Sequence, residues 1–142
     1  MMIDGGYTGK IRAVDPALVH NLVNNGYVPV ISPIALSEEY DFLNVDGDRA
    51  AAYVAGGVKA DKVIFITNVN GLMLNEKLVQ AMTLAQAKEA LPKIGFGMEK
   101  KVLACTEALD MGVGEAVIAS GQVDKPISAA MAHNNCTVIS RN

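Results

Sequence analysis

Residues 62–71 read KVIFITNVNG: an apolar, β-branched run followed at once by a turn rich in Asn and Gly. A run this short, apolar on successive residues rather than alternate ones, suits a strand covered on both faces, as parallel sheets require. Open parallel sheets bind ligands beyond the carboxyl ends of their strands. The loop TNVNG (67–71) therefore stands where a nucleotide could approach the backbone. A plain β-turn with Asn and Gly in left-handed conformations is the competing reading, and position favours the ligand only slightly.

Upstream, residues 15–25 (DPALVHNLVNN) predict a helix, with Asp15 as N-cap, Pro16 in the first turn and Gly26 as the left-handed stop. Residues 28–35 (VPVISPIA) read as a buried strand running into a loop. Asp48 to about Val58 is rich in small residues and predicts a helix packed closely on a sheet. Downstream, NVNG and NEK mark a hairpin or loop excursion over 69–80, and Thr83 opens a helix that ends near Pro92. Residues 97–112 (GMEKKVLACTEALDMG) form the longest helix, with positions 102, 103, 106 and 109 spaced for one face. The strand EAVIAS, a helix started by Pro126 and a last strand CTVIS complete the pattern. Strand and helix alternate, which implies a mainly parallel sheet between two helix layers, a three-layer αβα sandwich. No repeat, low-complexity tract or linker divides the 142 residues, so they read as one unit. The opening DGGYTGK follows no strand, however, and such folds ordinarily begin with one; the pattern resembles the second part of a larger fold.

Composition narrows the function. The chain is 51% hydrophobic and 19% charged, which excludes disorder. A formal charge of −3 leaves no basic surplus for nucleic acid. No apolar run approaches the ~20 residues of a membrane span, and the start lacks an apolar secretory core. Cys105 and Cys136, far apart in apolar stretches, read as reduced core thiols of a cytoplasmic protein.

Two further stretches could carry chemistry. In LNVDGDRAA (43–51), Asn44, Asp46 and Asp48 precede a small-residue helix. Such a loop can hold basic groups or Mg²⁺-bound phosphates, or merely cap the helix, and spacing alone leans to the cap. The EF-hand spacing is absent. In IGFGMEKK (94–101), two glycines lead into a helix with Lys100 and Lys101 in its first two turns, a kit suited to phosphate; two solvated lysines are the equal alternative. His20 and His133 sit on predicted helices without partners at metal spacing, so no metal ligand is proposed from side chains.

In order, these motifs resemble the amino acid kinase family. Its N-acetylglutamate kinases carry NxNAD before a helix, a strand ending TDVxG, and a GGM-like turn followed by a lysine on a helix. The counterparts here are NVDGD (44–48), TNVNG (67–71) and GMEKK (97–101). Together with IDGGYTGKI (3–11), NVDGD looks more like the branch that phosphorylates aminoadipate or glutamate attached to an amino-group carrier protein, in lysine and arginine biosynthesis. The resemblance covers essentially the whole chain and corresponds to the C-terminal half of such kinases, so the fold would lack its N-terminal half.

That resemblance implies ATP and Mg²⁺ as cofactors, with the metal held mainly through the nucleotide. It makes Lys101 the group that stabilises the transferring phosphoryl, Asp48 the organiser of the active-site lysines and Asn44 a substrate contact. Asn68, Val69, Asn70, Gly71, Leu72 and Met73, with Lys93, Ile94 and Gly95, would border the nucleotide. Asn68 departs from the family's Asp, HNNCTVIS departs from a GxGTxI-like ending, and the KxGG strand that carries a second lysine is missing. The partners implied are a nucleotide, an amino-acid substrate on an acidic carrier protein, and a second copy in a homodimer or higher oligomer. A non-catalytic nucleotide-binding module, or a family kinase acting on aspartate, carbamate or uridylate, are the alternatives.

Overall fold

The computed structural model describes residues 6–142; the first residues of the IDGGYTGKI stretch lie outside them. Its elements run α1 (Ala17–Asn24), β1 (Ile34–Leu36), β2 (Phe42–Asn44), α2 (Gly47–Gly57), β3 (Lys62–Thr67), β4 (Met73–Leu74), β5 (Lys77–Leu78), β6 (Ala81–Thr83), α3 (Leu84–Ala90), a 3₁₀ turn (Leu91–Lys93), α4 (Met98–Asp110), β7 (Glu115–Ser120), α5 (Pro126–Met131) and β8 (Thr137–Ser140).

The central sheet has the order β3-β7-β8-β6. β3 and β7 are parallel, as are β6 and β8, while β7 and β8 run antiparallel. Alternate residues serve the two faces. Val63, Phe65, Ala116, Ile118, Ile139 and Met82 form one core with residues of α2, α3 and α4. Val117, Ala119 and Cys136 meet Ala130 of α5 on the other face. The αβα layering is therefore present, and the sheet is mainly parallel with one reversal.

That reversal positions the site. α2 leads back into β3 and α4 into β7, so their N-termini lie at the carboxyl ends of those parallel strands. Because β8 opposes β7, with Thr137 paired to Ile118, the start of β8 arrives at the same end.

Several expectations need correction. Residues 28–33 are not a strand: Val28 is 87% and Val30 97% exposed. Pro29 and Pro33 remove ladder donors from this run, and only Ile34–Leu36 pairs, in a small hairpin with β2. Helix α1 begins at Ala17 with Pro16, not Asp15, at the N-cap; Asp15 Oδ1 still accepts the Ala17 N–H, two residues on, at 2.9 Å. In α4, Leu103 is 37% exposed; the buried residues are Val102, Ala104, Cys105, Thr106, Ala108 and Leu109. His133 lies beyond α5 at φ 55°, outside any helix. Strand β6 was not anticipated at all.

Other local readings hold. Gly26 ends α1 at φ 81°. Asn75 and Glu76, both at positive φ, turn the β4–β5 hairpin. Thr83 caps α3 in a full capping box with Gln86. Both cysteines are free and buried. Among the described residues, no helix is long and apolar enough to cross a membrane.

Candidate active site

Helix α2 starts at a true N-cap, but the cap is Asp46, whose Oδ1 accepts the Arg49 N–H at 3.0 Å. Asp48 is thereby released from capping. It reaches instead to helix α4, where the Lys101 Nζ donates to both carboxylate oxygens at 2.9 and 3.0 Å. The two side chains are 24% and 22% exposed, so the pair is sheltered yet open on one side. A lysine in the second turn of a helix sits against the positive end of the macrodipole; Asp48 is the compensating charge.

A second charged link braces the same two helices. Arg49 donates through Nε to Glu107 at 2.9 Å and through Nη2 to the other oxygen, a forked pair. The hydrogen bond to Glu107 holds the Arg49 guanidinium above its ordinary pKa, against the opposing effect of burial. Cys105, one turn along from Lys101, is fully buried. Burial foremost, and then the Asp48 charge, push its thiol up, while Lys101 pulls the other way; it is no nucleophile.

The strand-end loop forms the other part of the site. Gly121 N–H donates to Thr67 O at 2.8 Å, fixing the end of β3 beside the end of β7. Asn68, Val69 and Asn70 then lie exposed, and the chain dives inward at Gly71 and Leu72. Leu72, 1% exposed, is a core anchor whose side chain faces away from any ligand. Met73 opens the hairpin and is exposed. Lys93 closes the 3₁₀ turn, Ile94 packs against the core, and Gly95 has open space around it. A cavity of about 320 Å³ runs between the hairpin and α3, lined by Leu74, Val79, Met82, Gln86 and Lys93 among others. Lys93 therefore faces the hairpin across a recess of ligand size. Phe96, 92% exposed, carries the Lys100 ammonium 5.5 Å from its ring centre.

Asn44 ends β2 in an exposed position. Its backbone N–H donates to Tyr7 O at 2.7 Å and its carbonyl accepts the Gly9 N–H at 2.9 Å, which ties the YTG stretch to the entrance of α2. A larger groove, about 800 Å³, lies on this side between residues 10–14, residues 31–39 and α2. It is apart from the Asp48–Lys101 pair, whose chemistry rather than groove size marks the site.

The structure thus brings Asp48 to Lys101 and Lys93 to the hairpin. Sequence reasoning missed Arg49, Glu107 and Thr137. It also missed the Ser120–Gly121 turn, where Ser120 Oγ accepts the Gln122 N–H at 3.1 Å. A Ser-Gly pair directly after a buried strand was the available signal for that turn.

Residues 2–120 match the Amino acid kinase family. A Nitrosopumilus maritimus protein, provisionally named LysW-aminoadipate/LysW-glutamate kinase, is 66% identical over 96% of this chain and 51% of its own length. The LysW-aminoadipate/LysW-glutamate kinase of Metallosphaera sedula is 46% identical over 92% of this chain and 50% of its own. The chain spans about half the length of the curated relatives it matches. Among solved structures, N-acetylglutamate synthase from Neisseria gonorrhoeae aligns with a TM-score of 0.89 at 24% identity, over 99% of this chain and 35% of that one. Carbamate kinase from Giardia lamblia aligns at 0.68 and 18% identity, over 91% of this chain and 45% of that one. At these identities the two structures establish a common fold.

Proposed function

The chain belongs to the amino acid kinase family, and from that premise we propose that it forms the nucleotide-binding portion of a carboxylate kinase. The complete enzyme transfers the γ-phosphoryl of ATP to the side-chain carboxylate of an N-blocked glutamate or aminoadipate, giving an acyl phosphate. The relatives' names place the amino acid on the carrier LysW, and we extend that acidic carrier to this chain. The setting is cytoplasmic lysine biosynthesis, and arginine biosynthesis where glutamate is the acceptor.

The observation that carries the reading is the Asp48–Lys101 pair at the site end of the sheet. Phosphoryl transfer to a carboxylate needs no protein nucleophile and no strong base. It needs position and positive charge on the moving group. Lys101 supplies that charge, and Asp48 holds the ammonium where a phosphate can meet it. Asn68, Val69, Asn70 and Met73, with the backbone of Gly71 and Leu72, border the nucleotide on one side. Lys93, Ile94 and Gly95 do so on the other, and Asn44 faces the acceptor. Among the described residues, no three His, Cys, Asp or Glu side chains gather into a metal site. Mg²⁺ would enter with the phosphates of the nucleotide.

The reading is tested by thermal unfolding of the chain with millimolar Mg-ADP. Ligand at ~100 times its Kd adds about 2.7 kcal/mol, several degrees for a domain of this size. A saturable rise is expected, and no rise refutes a nucleotide site in this half. The chain alone is expected to yield no acyl phosphate in a hydroxamate trap, and a trapped product would refute that. In a kinase of the relatives' full length that carries this sequence, Lys101→Ala lowers kcat far more than ATP affinity. Equal losses would sink the transition-state role.

A further inference from the structure

We propose that Thr137, the first residue of β8, is a positioning residue for the nucleotide loop, an inference that rests on the function proposed above. Its side chain is fully buried, and its hydroxyl uses both of its hydrogen-bonding capacities on that loop's backbone. Oγ1 accepts the Leu72 N–H at 2.8 Å and donates to Val79 O at 2.6 Å. Leu72 and Val79 are the two ends of the β4–β5 hairpin, joined as well by Val79 N–H to Leu72 O at 2.9 Å. One hydroxyl therefore closes the hairpin neck and fastens it to the central sheet.

The fit around this hydroxyl is close. A Cβ on Gly71 would lie 2.4 Å from Thr137 Oγ1 and 2.9 Å from its backbone nitrogen, so residue 71 has no side chain because Thr137 occupies the space. At the other end of the loop, Gly121 holds Thr67. Exposed Asn68, Val69 and Asn70 thus hang between two fixed posts, Thr67 and Leu72. A short loop held at both ends presents its backbone in one arrangement, which spares the ordering cost of binding.

Valine matches threonine in shape but places a carbon where Oγ1 stood, 2.6 to 2.8 Å from a nitrogen and an oxygen. That is well inside the ~3.5 Å a carbon contact needs, so Leu72 and Val79 must move apart while both lose their partner. Serine keeps the hydroxyl.

The test compares Thr137→Val, Thr137→Ala and Thr137→Ser in this chain. The readouts are amide hydrogen exchange at Leu72, with Phe65 as a reference in β3, and the Kd for Mg-ADP. The valine and alanine variants should each lose tenfold or more of the Leu72 protection relative to Phe65. Their Mg-ADP binding should weaken by a similar factor, while the serine variant keeps both. Should the valine chain not fold, alanine, which removes the hydroxyl without the steric push, decides in its place. Unchanged Leu72 exchange overturns the proposal, and so does lost protection with an unchanged Kd. If the wild-type chain itself binds no Mg-ADP, the nucleotide reading fails; Leu72 exchange still decides whether Thr137 anchors the loop.

Discussion

Replacing Gly71 by alanine inserts one methyl group at the most crowded glycine of the site. The new Cβ would stand 2.4 Å from Thr137 Oγ1, 2.9 Å from Thr137 N and 3.0 Å from Leu78 Cδ1. The Leu78 side chain can give way, but the β8 backbone cannot do so without disturbing its pairing with β7. Overpacking of this kind costs about 1–3 kcal/mol. If the Thr137 hydroxyl swings aside, two backbone groups go unpaired at about 1–3 kcal/mol more. Reduced freedom of the unfolded chain returns about 0.4–1 kcal/mol. The net is a loss of about 3 kcal/mol, or roughly 10 °C in Tm for a domain of this size. Calorimetry or circular dichroism would measure it, with Gly95→Ala as the control. Nothing lies within 4 Å of a Cβ at Gly95, so that variant should change stability by less than about 0.5 kcal/mol. A Gly71→Ala chain melting within about 2 °C of wild type would refute the argument that Thr137 fills the space.

Three other outcomes follow from the geometry. At the opposite end of the sheet, Glu115 pairs with Lys62 and accepts from His133 Nε2 at 2.8 Å. Burial raises the carboxyl's pKa, but the bonds from Lys62 and His133 outweigh it and hold the group below its usual 4.5. The unfolded chain therefore binds the proton first as pH falls, so this stabilisation is complete above about pH 4.5 and fades below it. Acid unfolding curves of Glu115→Gln should lack that component, and identical pH slopes would count against it. Gly114→Ala would press a Cβ to 2.5 Å from Asp61 O, the carbonyl that receives the Glu115 N–H at 3.0 Å. It should lower Tm by several degrees, and an unshifted melt would be a clear failure. Cys105, fully buried with its thiol pushed up, should resist a thiol reagent until the chain unfolds. Rapid native labelling at Cys105, read by peptide mapping, would disprove that.

How much could be read in the sequence varied with the range of the interaction. Elements set by local chemistry were legible: the Thr83 capping box, the Gly26 stop, the hairpin at Asn75–Glu76, and the strands KVIFIT and EAVIAS. The error over 28–33 came from weighing Val28, Val30 and Ile31 by hydropathy, with Pro33 taken only as the end of the strand and Pro29 passed over. Apolar character says that a residue gains from being covered; it does not supply ladder donors. The glycine-rich helix start pointed to Lys100 and Lys101 alike and the loop to Asp46 and Asp48 alike; only the family resemblance singled out Lys101 and Asp48. Their contact spans 53 residues of chain, and no spacing rule reaches that far. Which of Asp46 and Asp48 capped α2 was equally beyond pattern, since either oxygen could satisfy the first turn. Thr137 stayed hidden because a hydroxyl in an apolar strand looks like an ordinary β-branched residue until its neighbours are known.

The bond from Thr137 to Leu72 joins residues 65 apart in the chain, and that separation has a meaning in time. During synthesis at ~5–20 residues per second, Leu72 emerges roughly 3–13 s before the hydroxyl that fixes it. Strand β3 can find its helices in that interval, since α2 precedes it. Its neighbour β7 also emerges within that interval, whereas the clamp on the loop waits for residue 137. The nucleotide loop is therefore among the last parts of this half to be shaped, and an early nucleotide would meet it unformed. Truncation just before residue 137 would remove the strand that joins β6 to β7, and with it the side chain that holds the loop's inner end to the sheet.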